Sequence, residues 1–273
     1  METIARLVSN GQTGHLEFPW HQMAYQHTQA VRAQLDCKYA PATTNRMLAA
    51  LKGCLQEAWR LELMPAEQYR KAVDLRPVRG STEPKGRALA VSELRRLLEA
   101  CVLDPRPAGR RDAAMLAVLC STGLRRSEVV ALEIGDFDPD LGELKVKRGK
   151  GRKARTGYIT GEWAELLGAW LQVRGELPGP LFLPINRGGG MTMRALSSQS
   201  VLDILARRAE AAGIIRRFAP HDMRRTFITR LLEAGVDVGV VQQLAGHSNV
   251  QTTLKYDRRG DQAKKRAAGL LGL

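Results

Sequence analysis

Apolar residues recur at three- and four-residue steps along most of this chain, the signature of amphipathic helices. In APATTNRMLAALKGCLQEAWRLELM, residues 40–64, the positions Met47, Leu48, Leu51, Leu55, Trp59 and Leu61 fall on one helical face, and Thr43, Thr44 or Asn45 can cap the start. VSELRRLLEAC and GRRDAAMLAVLCSTG carry further stripes at Leu94, Leu97 and Leu98, and at Met115, Leu116, Val118 and Leu119, with Gly123 placed to end the second helix. The period then changes. Leu144 and Val146, followed by Tyr158 and Ile159, flank a turn rich in Gly, Lys and Arg, which predicts a β-hairpin with a charged tip. Helices are expected again at about 162–173 and 198–212, with the apolar run PLFLP between them, and at about 221–234, 237–246 and 250–257. The final DQAKKRAAGLLGL reads as a weak amphipathic helix, while the first forty residues show no clean period and leave their structure open. The expected fold is therefore mainly α with a small antiparallel β-sheet.

One stretch interrupts the pattern. DLRPVRGSTEPKGRALA, residues 74–90, collects Pro77, Gly80, Pro84 and Gly86 beside Arg76, Arg79, Lys85 and Arg87, with almost no apolar spacing. It divides the chain into a small helical N-terminal domain (1–76), a basic linker (77–90) and a larger domain (91–273), a division that 273 residues permit.

Charge narrows the function. The formal net charge is +14, from 42 Lys and Arg against 28 Asp and Glu, so a polyanion is the natural partner; a merely basic solvated surface is the bland alternative. No apolar run approaches the roughly 18 residues of a membrane span, and METIARLVSNGQTGHLEF has no signal-peptide core, so a cytoplasmic protein without a membrane partner is expected. Cys37, Cys54, Cys101 and Cys120 form no CxxC pair, and His15, His21 and His27 lie six residues apart, off any shared helix face. No metal site is expected.

Four motifs carry candidate chemistry. In PHDMRRTF, His221 and Arg224 are three apart and project from one helix face, and Pro220 suits a helix start whose dipole would favour an anion; a solvated face with a chance histidine is the alternative. In STGLRRSEVVAL, Gly123 breaks a helix and Arg125 and Arg126 open another, with Glu128 spaced to orient the Arg125 guanidinium. The hairpin tip KVKRGKGRKAR holds Lys145, Lys147, Arg148, Lys150, Arg152, Lys153 and Arg155 without an acid, so it can neutralise phosphates or supply a lysine as a proton donor. Finally, LAGHSNVQTTLKYDRRG places His247 and Tyr256 nine residues apart, on opposite sides of any continuous helix. Ser248 and Asn249 are capping residues, so a break there lets a second helix return Tyr256 to the side of His247.

In this order and spacing, TGLRRSE, RGKGRK, HDMRRTF and LAGHSNVQTTLKYDRR resemble the motifs of the tyrosine recombinases, or phage integrases, over roughly residues 85–260, and YAPATTNRMLAALKG more loosely resembles their helical core-binding domain. The resemblance implies a core-binding domain and a mixed α/β catalytic domain closing on DNA as a C-shaped clamp. It implies Arg125, Lys150, His221, Arg224 and His247 as catalytic residues around the nucleophile Tyr256, with Lys147 and Lys153 as rivals to Lys150. Lys145, Lys147, Arg148, Arg152, Lys153, Arg155 and Arg225 are expected to contact DNA. The implied reaction is site-specific cleavage and rejoining of double-stranded DNA through a 3′-phosphotyrosyl link, with no cofactor, metal or small-molecule substrate, by four protomers on two synapsed sites. A type IB topoisomerase and a non-catalytic DNA-binding regulator are the alternatives.

Overall fold

The computed structural model describes residues 1–80, 86–147, 154–257 and 260. The chain is mainly helical, with one three-stranded antiparallel sheet among the described residues. Its Cα positions group into two compact units, Met1–Lys85 and Gly86–Leu273.

The first unit holds α1 (Glu2–Val8), a 3-10 turn at Trp20–Gln22, α2 (Tyr25–Lys38), α3 (Pro41–Arg60) and α4 (Ala66–Val73). Leu48, Leu51 and Leu55 of α3 close over Ile4, Val31, Leu35 and Ala72 as its core. The three threonine and asparagine candidates do not cap α3. Pro41, whose ring fixes φ near the helical value, starts the helix at its first position with Ala40 as the N-cap, so Thr44 and Asn45 fall inside it. There Thr44 Oγ1 donates to the Leu35 carbonyl at 3.1 Å, and the Asn45 amide exchanges two hydrogen bonds with the Val78 backbone. Trp59 and Leu61 also leave the expected core stripe. Trp59 stacks on Tyr69 at the surface with ring centroids 5.1 Å apart, and Leu61 lies past the end of the helix, exposed.

The second unit is built around α6 (Pro107–Thr122), whose residues 113–119 are buried on every side. It packs against α5 (Val91–Val102), α8 (Glu162–Arg174) and α10 (Pro220–Glu233). Such a helix reads as a stripe in sequence only because its small alanines fill the gaps between larger residues. Gly123 ends it in the left-handed conformation, φ 59°, where glycine pays no Cβ penalty. The short α7 (Arg126–Val129) follows, then β1 (Phe137–Asp138), β2 (Glu143–Val146) and β3 (Arg155–Tyr158) in the order β1-β2-β3. Leu144 pairs with Gly157 and Val146 with Arg155; Leu144 and Val146 point into the core, so alternation turns Tyr158 outward and leaves Ile159 buried just beyond the strand. The hairpin is as expected, but its tip, with Arg148, Lys150, Arg152 and Lys153, lies outside the described residues. The PLFLP run buries Leu181, Phe182 and Leu183. Then come α9 (Ser198–Ala211), α10, α11 (Val238–Ala245) and α12 (Val250–Leu254), close to the expected bounds. The expected C-terminal helix also lies outside the described residues.

Candidate active site

Two helix ends and one helix start converge. The left-handed glycines Gly123 and Gly246 terminate α6 and α11, and both termini present carbonyl oxygens to one side chain near the start of α10. That side chain is Arg224, only 1% exposed, which donates to the Gly123 carbonyl at 2.8 Å and to the Ala245 carbonyl. Burial, reinforced by Arg125 and Arg155, lowers its pKa to about 10, so the guanidinium stays charged at neutral pH. The negative ends of two helix dipoles face it, which offsets the cost of burying a cation.

Glu128 organises a second pair of guanidiniums. Its carboxylate accepts from the Arg125 backbone N–H at 2.9 Å and from Arg125 Nη1 at 2.8 Å, and it takes a two-pronged contact from Arg155 at 3.2 and 2.8 Å. Burial alone would raise the Glu128 carboxyl, but the bonds from Arg155 and Arg125 outweigh it and hold the group ionised, below the usual carboxylate range. Glu128 thus orients Arg125, as its spacing suggested. Arg155, expected among the DNA contacts of the hairpin, is instead largely buried within this cluster, its side chain 10% exposed.

The break between His247 and Tyr256 forms as expected. Gly246 ends α11, the Asn249 side chain accepts from the Gln251 N–H at 2.8 Å to cap α12, and Tyr256 follows immediately after that short helix. The two rings then lie nearly parallel, 6.1 Å between centroids, and the Tyr256 hydroxyl is 3.4 Å from His221 Nε2. Arg225, expected to contact DNA, is buried, with its guanidinium over the Tyr256 ring at 5.2 Å from the centroid and its Nε 3.7 Å from Asp222 Oδ1. His247 Nδ1 bonds the hydroxyl of the fully buried Thr253 at 2.8 Å, a contact the sequence reading missed although Thr253 lies in the same quoted motif.

Both histidines are depressed in pKa. Desolvation is the main cause for each; Arg224 and Arg225 add to it at His221, and Arg224, Arg125 and Arg155 add to it at His247, which falls to about 4. Both shifts favour the neutral ring. Asp222 locks the start of α10 by accepting from the Ala219 and Arg87 N–H groups at 2.9 and 3.0 Å, which holds His221 and Arg224 in register.

The cluster thus unites Arg125, His221, Arg224, His247 and Tyr256 from three separate stretches of chain. Lys145 is exposed on β2, opposite Thr156, and Lys147 is engaged by Asp136 at 2.6 Å and Glu133 at 3.4 Å. The phage integrase family model matches residues 87–263. The chain belongs to the phage integrase family.

Among relatives of this integrase-family chain, the tyrosine recombinase XerD of Pseudomonas putida is 35% identical over 232 residues, 82% of this chain and 73% of its own length. The tyrosine recombinase XerC of Vibrio parahaemolyticus is 34% identical over 187 residues, which is 66% of this chain but only 58% of that protein. In solved structures, the XerH site-specific recombinase bound to palindromic difH substrate superposes with a TM-score of 0.72 at 23% identity, covering 96% of this chain and 75% of that one. The Tn1549 transposon integrase in complex with a circular intermediate DNA gives 0.71 at 18% identity, covering 98% and 92%. These likenesses establish a shared fold. No helix of the described residues is long and apolar enough to cross a membrane.

Proposed function

We propose that this phage integrase is a site-specific DNA recombinase that cleaves and rejoins double-stranded DNA through Tyr256. The observation that carries the reading is the Tyr256 hydroxyl placed 3.4 Å from His221 Nε2, in the cluster that also holds Arg125 and Arg224. A tyrosine hydroxyl, pKa about 10, is a poor nucleophile until a base takes its proton and cations stabilise the charge it passes to phosphate.

In this mechanism the Tyr256 oxygen attacks the scissile phosphorus, and its proton passes to His221 Nε2. Arg125 and Arg224 hold the non-bridging oxygens of the pentavalent transition state. The bond from phosphorus to the 5′ oxygen breaks, and Lys150 supplies that oxygen with a proton. His247 donates to the phosphate from Nε2, the tautomer favoured when Thr253 donates to Nδ1. The phosphodiester bond is exchanged for a 3′-phosphotyrosyl bond of similar energy, so a 5′ hydroxyl from another strand reverses the step without cofactor or metal.

In the same reading, residues 1–76 form the core-binding domain, 77–90 the linker and 91–273 the catalytic domain, and four protomers act on two synapsed sites in the cytoplasm, at the nucleoid. Lys145, Arg148, Arg152 and Lys153 neutralise backbone phosphates near the cleavage point. The test is to incubate the protein with nicked suicide substrates made from the DNA flanking its gene. A covalent adduct with wild type and none with Tyr256→Phe is expected. Binding without an adduct from either protein would overturn the proposal.

A further inference from the structure

Arg155 enters the cluster from the sheet, on a strand that continues directly from the hairpin tip. Its guanidinium is forked on Glu128, the same carboxylate that holds Arg125. Its side chain also packs against the turn before His247: a Cβ added to Gly246 would lie 3.0 Å from both Cδ and Nη1 of Arg155. Gly246 therefore serves twice, by adopting φ 65° to end α11 and by leaving room for this side chain. The arginine stands between the segment carrying Arg125 and the segment carrying His247, bonded to the first through Glu128 and packed on the second.

We infer that Arg155 is a positioning residue of the strand-transfer reaction, which braces Arg125 through Glu128 and the His247 turn through Gly246, rather than a DNA contact of the hairpin. The inference rests on the recombinase reading given above. Its physical basis is a shared carboxylate. Glu128 is almost fully buried and its two oxygens accept four bonds, two from each arginine. Without Arg155, half of that acceptor capacity falls vacant in a buried place, where an unmet carboxylate is costly. The Arg125 guanidinium is the nearest donor that can fill it. Drawn further onto Glu128, it withdraws from the phosphate it would otherwise hold. A surface phosphate contact would instead cost affinity and leave the chemistry of bound DNA alone.

The test measures single-turnover adduct formation on a nicked suicide substrate at saturating DNA, together with the Kd and its salt dependence. The proteins are wild type, Arg155→Gln, Arg155→Lys, Glu128→Gln and the Arg155→Gln/Glu128→Gln double variant. For Arg155→Gln we expect a loss of about a hundredfold in the adduct rate, the scale of a misplaced catalytic group, with Kd and salt slope near wild type. Arg155→Lys, which keeps the charge and the stem and so guards against loss of folding, is expected to remain well below wild type because a single ammonium cannot fork onto both oxygens. The double variant should be no slower than its slower parent, since both act through one contact. A wild-type adduct rate in Arg155→Gln or full rescue by lysine overturns the inference alone, as does a raised Kd with the salt slope reduced by about one charge. A wild type that forms no adduct overturns the recombinase reading, and this inference with it.

Discussion

The Arg224 guanidinium donates to the Gly123 carbonyl at 2.8 Å, and that bond joins the end of α6 to α10. A second bond, to Ala245, joins both to the end of α11. Lysine offers one compact ammonium in place of a planar fork, so it cannot span two carbonyls and still face a phosphate. Arg224→Lys is expected to lose at least about a hundredfold in adduct formation at saturating DNA, the usual cost of one lost transition-state donor. Its Kd for DNA should stay within a few-fold of wild type. A variant with wild-type adduct kinetics would show that charge alone suffices there.

Gly123 is constrained from two sides. Its φ of 59° is unfavourable for any residue with a Cβ, and an added Cβ would fall 2.3 Å from the Phe227 ring. Gly123→Ala should therefore destabilise the protein by about 2 kcal/mol or more, read as a lower midpoint in urea. Combining it with Phe227→Leu should recover the steric part but not the backbone part. Complete recovery would mean that the left-handed conformation costs nothing here.

The depressed histidines set a pH dependence. The unfolded chain takes up a proton on His247 near the ordinary value of about 6.5, while the folded chain resists until about pH 4. Between those values the unfolded state binds more protons, so stability rises with pH there; it is fully present above about 6.5 and is lost as pH falls toward 4. His221, lowered in the same direction, adds to the trend and also loses its capacity to accept the Tyr256 proton. Urea midpoints measured from pH 7 to 4 should fall, and His247→Gln should flatten the slope. An unchanged slope in that variant would assign the effect to other groups.

Much of this was legible in the chain because the motifs are local. The capping residues Ser248 and Asn249 announce the break that turns Tyr256 back, and the HxxR spacing puts His221 and Arg224 on one turn whatever the rest does. What escaped was set by contacts between distant segments. Arg155 sits among seven basic residues of the hairpin, and only the β2–β3 register, which pairs it with Val146, and the approach of Gly246 distinguish it from its neighbours. Asp222 drew no reading from the sequence, yet it caps α10 and holds the Arg87 backbone 135 residues away in sequence. The first forty residues lacked a period because α1, with seven residues, is too short to display one, and α2 is polar apart from a few core positions.

A buried ionic network at the other end of α6 offers a control without catalytic consequence. Asp112, with its side chain 4% exposed, accepts from Arg111 Nε and Arg208 Nε, each at 2.8 Å, and Arg208 also donates to Asp104 and to the Ala100 carbonyl. The network ties α9 to α5 and α6, and Arg111 extends it to the Leu183 carbonyl. Removing one partner strands the others: Asp112→Ala leaves Arg111 buried without its counter-ion and is expected to cost about 3 to 5 kcal/mol. Arg208→Ala should cost less, about 2 kcal/mol, because Asp112 keeps Arg111 and Asp104 keeps Arg106. Asp112 lies about 16 Å along the helix axis from Gly123, at about 1.5 Å per residue. In whatever fraction stays folded, both variants should form adduct at the wild-type rate, so urea midpoints and single-turnover kinetics together separate loss of stability from loss of chemistry. A reversed order of stabilities would mean that Arg208, and not Asp112, is the hub of the network.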